Sequence, residues 1–112
     1  MSGVITYLGR DGRPTKGKTN CYAEQREDLE VWYSYAVIIA FVNVPTNEAF
    51  VRSCKGFSNT TGRHIYAVRN YLSGIQPVED IRDEDFWRFM ADYGVLDRFD
   101  YWNGTSYDPP AI

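Results

Sequence analysis

From Leu29 to Phe41 every odd position is apolar or aromatic: Leu29, Val31, Tyr33, Tyr35, Val37, Ile39 and Phe41. Side chains that recur every second residue share one face of a β-strand, so this run must lay a face on a core. It outruns the usual strand of about six residues. It therefore reads as one bent strand, or as two strands joined at a bulge near Ala36. Its second half is apolar at even positions too (Ile38, Ala40), the pattern of a central strand covered on both sides. Residues 43–47, NVPTN, carry turn chemistry. Residues 49–54 can then return antiparallel, and Lys55-Gly56 ends that strand.

Two helices follow. Ser58, Asn59 and Thr60 are all good N-caps. Beyond them Ile65, Val68 and Leu72, with Thr61 one turn earlier, form one apolar stripe. Ser73-Gly74 and then Pro77 supply the stop. The second helix opens at Asp83, with Glu84 and Asp85 in a first turn where the helix dipole favours acids. Phe86, Phe89, Met90 and Tyr93 recur at helical spacing. Gly94 is a natural left-handed stop, and Val95 supplies the apolar contact that follows one. Residues 4–8 read as a short strand. Residues 9–20 contain no large apolar side chain and read as a turn-rich basic loop that is flexible or ordered by a partner. Residues 97–102 read as a last strand or a docked tail. The expectation is a single α+β domain: a small antiparallel sheet of three to four strands with two helices packed on one face.

At 112 residues the chain is long enough for one core without disulfide or metal staples. Aromatic content of 16% is high and weighted to tyrosine, which serves interfaces as well as cores. The net charge of −3 hides a gradient. Arg10, Arg13, Lys16 and Lys18 crowd the first twenty residues, whereas residues 79–112 hold nine acids against three arginines. The sequence shows no secretory hydrophobic region and no run that could span a bilayer, so a cytoplasmic protein without membrane contact is expected. In that setting Cys21 and Cys54 are expected reduced and buried, with a disulfide between them left open.

Reaction chemistry is hard to find. His64 is the only histidine, and nothing in the sequence marks an orienting acid or an oxyanion hole for it. One histidine and two distant thiols cannot make a usual zinc set, no calcium loop is present, and no glycine-rich phosphate cradle occurs. No catalytic residue, metal or cofactor is assigned. Two surfaces stand out instead. Glu84, Asp85, Asp92, Asp97 and Asp100 are interleaved with Trp87, Tyr101 and Trp102, an acidic aromatic surface able to mimic nucleic acid. Arg10, Arg13, Lys16, Lys18, Arg52, Lys55 and Arg63 form a basic set able to grip a phosphate backbone. A pI near 5 counts against the second surface.

The words WYSY at Trp32–Tyr35, IAF at Ile39–Phe41 and SNTTGRH at Ser58–His64 resemble an uncharacterised family of small phage and mobile-element proteins. That family's pattern is Y-S-Y, then I-A-aromatic, then S-x-T-T-x-x-H. The match covers roughly a third of the chain. The resemblance implies a mobile-element origin and an intracellular setting, and no activity. From that origin comes the expectation of a non-enzymatic inhibitor of the anti-CRISPR kind. Such a protein binds a host defence or nucleic-acid-processing protein, for example a CRISPR-Cas effector or another nuclease. The alternative is a nucleic-acid-binding accessory protein using the basic set. A homodimer through a sheet edge also fits.

Overall fold

The period-two run resolves into a hairpin. The computed structural model describes residues 5–53 and 55–95. In it β4 (Leu29–Ser34) and β5 (Val37–Asn43) pair antiparallel around a two-residue turn at Tyr35 and Ala36, Tyr35 taking a φ of 57°. Neither the single bent strand nor the pair of strands joined at a bulge near Ala36 is formed: the chain reverses direction there, and a bulge occurs elsewhere, where Trp32 faces Ala40 and Tyr33 faces Ile38, which leaves Ile39 unmatched. The extra residue turns both Ile39 and Ala40 to the same side of the sheet.

Among the described residues this hairpin lies in a sheet of seven strands, where three to four were expected. The others are β1 (Ile5–Leu8), β2 (Pro14–Thr15), β3 (Cys21–Arg26), β6 (Glu48–Arg52) and β7 (Val78–Ile81), in the order β2-β1-β3-β4-β5-β6-β7. All pairings are antiparallel except β6 with β7, which run parallel with the first helix between them. Parallel neighbours need such a crossover, so α1 (Asn59–Ser73) provides it. The loop expected to be flexible or ordered by a partner contains β2 and a closed turn: Gly9 N–H donates to Arg13 O at 2.8 Å and Gly12 N–H to Gly9 O at 3.0 Å.

The helices lie on opposite faces, not on one. Ile65, Val68 and Leu72 of α1 pack on Leu8, Ala23, Trp32, Ile39, Val42 and Val51. Phe86, Trp87 and Met90 of α2 (Asp83–Asp92) pack on Val31, Ile38, Phe41, Phe50 and Ile81. The reason is the double-sided apolar pattern of β5 and β6. Phe41 and Phe50 cannot share a face with Val42 and Val51, and each face needs its own cover.

Both helices end as their residues dictate. Ser58 Oγ accepts the N–H of Thr61 at 3.2 Å and caps α1. At the end of α2, Gly94 takes a φ of 79°, and Val95 N–H reaches back to Met90 O at 2.8 Å, closing a Schellman turn with Val95 buried. Cys21 is a buried free thiol whose pKa burial pushes up to about 12; Cys54 lies outside the described residues. Part of the tyrosine excess forms a row on the α2 face, where Tyr7, Tyr22 and Tyr33 stand opposite one another on β1, β3 and β4. No helix among the described residues is long and apolar enough to cross a membrane.

Candidate binding groove

The turn between β1 and β2 does not hang free. Its Gly12 takes a φ of 75°, and a side chain placed there would meet Ala67 Cβ at 3.9 Å. The small side chain of Ala67 and the bare backbone of Gly12 let the turn lie close along α1. Between turn and helix runs an open groove of about 990 Å³. Arg10 and Arg13 line one wall, Arg63, Tyr66 and Asn70 the other, and Phe57 and Tyr71 add apolar surface.

The helix wall has a simple origin. Asn59, Arg63, Tyr66 and Asn70 are spaced four, three and four residues apart, so they form one stripe beside the buried stripe of Thr61, Ile65, Val68 and Leu72. The groove therefore holds three guanidinium groups against one carboxylate, Asp11. Asp11 also braces the turn, since its Oδ1 accepts the N–H of Arg13 at 3.0 Å. Among the described residues no acid pairs with Arg10, Arg13 or Arg63. Such a concavity offers fixed positive charge, an aromatic face and side-chain amides together.

Of the basic set, Arg10, Arg13 and Arg63 meet in the groove. Lys16, Lys18 and Lys55 are exposed on loops adjoining it in sequence. Arg52 does not belong to this surface. It is 2% exposed, pairs with Asp83, donates to Ile38 O at 3.2 Å and lies between the rings of Phe57 and Phe86. Its guanidinium ties β5 and β6 to the start of α2.

Of the acidic set, Glu84, Asp85, Trp87 and Asp92 lie on α2. Trp87, expected as a surface anchor, is 6% exposed and belongs to the core under α2. Asp85 is held by Arg82 at 3.1 Å and Arg88 at 3.3 Å, and Glu84 lies 3.5 Å from Arg82. Asp92 is exposed. Asp97, Asp100, Tyr101 and Trp102 lie outside the described residues, as does the strand or tail expected there. Sequence reasoning did not single out Tyr66 or Asn70, and it read Asn59 only as a helix cap. Their four-three-four spacing was the available signal.

Two of the three sequence words quoted above, WYSY and SNTTGRH, converge in space. Ser34 Oγ lies 2.7 Å from His64 Nδ1 and donates to Thr61 Oγ1 at 3.1 Å, and the His64 ring sits 5.9 Å from that of Tyr35. The cluster fastens the first turns of α1 to the end of β4. Ser34 is fully buried. Among the described residues no carboxylate bonds to His64, and no group of three or more histidine, cysteine or acidic side chains could hold a metal ion.

Burial lowers the His64 pKa from its ordinary value of 6.5. The unfolded chain therefore takes up the proton first as pH falls. The folded state keeps its full advantage above the unfolded pKa and loses it progressively as pH drops toward the lower folded pKa. Urea unfolding should thus show lower stability near pH 5.5 than near pH 7.5, with the difference reduced in His64→Gln. An undiminished difference in that variant would place the pH dependence elsewhere.

A mixed seven-stranded sheet with one helix on each face and a basic groove beside α1 defines an α+β protein with a surface site. The chain belongs to a family of unknown function, DUF8033, whose match spans residues 12–86. That span takes in the second half of the β1–β2 turn, all of α1 and the Ser34–Thr61–His64 cluster. No curated protein and no solved structure matches it.

Proposed function

We propose that this chain is a non-catalytic binding protein whose working surface is the groove between the β1–β2 turn and α1. Its ligand is the anionic backbone of a nucleic acid. One observation carries the reading: Arg10 and Arg13 from the β1–β2 turn and Arg63 from the distant α1 line a single concavity without acid partners among the described residues. Cations so placed neutralise phosphates and release their counterions, which drives binding without regard to sequence. The acidic pI of the whole chain does not oppose this, because a local basic wall is what a phosphate meets at contact. The resemblance to phage and mobile-element proteins fits an accessory role in the host cytoplasm.

A second reading keeps the expected inhibitor of a host defence or nucleic-acid-processing protein, such as a CRISPR-Cas effector. It is supported by Glu84 and Asp92, which are exposed on α2. The two readings separate by fluorescence anisotropy with labelled single- and double-stranded DNA. Binding that weakens steeply with salt supports the groove. Absence of binding even at low ionic strength removes the first reading and leaves the second.

A further inference from the structure

We infer that the groove takes single-stranded nucleic acid, with Tyr66 as the platform on which a base stacks. This rests on the groove reading above and adds the class of strand and the residue that selects it. Tyr66 is the most exposed of the large apolar side chains among the described residues, at 65%. Its ring also lines a second hollow of about 400 Å³ bounded by Ile65, Arg69 and Asp80, so it stands as a ridge between two concavities. Arg69, one turn further on, is locked to Asp80 by two hydrogen bonds of 2.8 and 3.0 Å, which steadies the far side of the ridge. Arg63, one turn before it, faces the groove with Arg10 and Arg13. From Asn59 to Asn70 the stripe runs about 16 Å along the helix.

Each part matches a part of an unpaired nucleotide. The guanidinium groups meet phosphates, the phenol ring meets a base face, and the carboxamides of Asn59 and Asn70 can donate to and accept from base edges. A duplex presents the same phosphates but keeps its base faces stacked inside, where Tyr66 cannot reach them. Stacking on an exposed ring is tolerant of base identity, so the groove discriminates by strandedness rather than sequence.

The test uses the full chain, its Tyr66→Ala and Tyr66→Phe variants, and three labelled probes of equal length: oligothymidylate, an abasic oligodeoxyribose phosphate and a DNA duplex. Because Tyr66 is exposed, neither substitution disturbs the core. Tyr66→Ala should weaken oligothymidylate binding about tenfold while leaving the abasic probe unchanged, and Tyr66→Phe should restore the affinity. Equal wild-type affinity for the thymidylate and abasic probes, or equal losses on both in Tyr66→Ala, would overturn the stacking role and leave the arginine groove standing. Failure of all three probes to bind at low salt would overturn both.

Discussion

Replacing Arg52 by alanine is expected to lower the free energy of unfolding by about 3 kcal/mol. The guanidinium is buried and serves four neighbours at once: the Asp83 carboxylate, the Ile38 carbonyl and the rings of Phe57 and Phe86. Truncation strands the carbonyl of a central strand, opens a void between two rings and unties β6 from α2. Arg52→Lys should recover less than half of the loss, because an ammonium has no planar fork to place between two rings and a carboxylate. Asp83→Asn should be milder, since Asp83 is half exposed and an amide oxygen can still accept. Urea denaturation measures all three. A loss below about 1 kcal/mol for Arg52→Ala would mean that the arginine is not the tie described here.

Reversing Arg10, Arg13 and Arg63 together to glutamate is expected to abolish oligonucleotide binding at moderate salt. The fold should survive, because exposed side chains away from caps and cores seldom change stability by more than about 0.5 kcal/mol each. The groove then presents carboxylates to phosphate, and like-charge contact costs affinity beyond the three lost attractions. Single replacements should each remove roughly one phosphate contact and flatten the salt dependence accordingly. Reversing Glu84 and Asp92 on the opposite side of the sheet is the matched control. A triple variant that binds as the parent does would refute the groove, whereas binding lost on reversal of the α2 acids would transfer the function to that face.

The contrast between Arg52 and Arg63 shows where sequence reasoning stops. Both are arginines near the strand-to-helix junction, yet one is a core tie and the other a groove wall. Period-two spacing did place Arg52 on the face of Phe50, next to α2. Trp87, three residues before Met90, carried a similar signal of burial. The two helices, the Ser58 cap of α1 and the Gly94–Val95 stop were legible because local chemistry decides them. The β5–β6 hairpin was legible from the turn chemistry of residues 43–47, whereas the reversal between β4 and β5 was not, because an unbroken period-two run carries no turn signal and register depends on partners across the sheet. β3 and β7 were missed for a different reason. CYAEQR and VEDI bury few residues and mix acids with apolar side chains, so only pairing with neighbours makes them strands. The placement of helices on both faces was implied by the double-sided apolar pattern of β5 but not drawn from it. The groove itself depends on how closely the turn at Gly12 approaches α1 at Ala67, which no local pattern encodes.

The most direct test is the salt dependence of wild-type binding to a single-stranded oligonucleotide. Three phosphates neutralised at about 0.7 counterions each give a log–log slope near −2, so affinity should fall roughly twentyfold between about 50 and about 200 mM salt. A slope near zero, or no binding at the lowest salt, would contradict the account.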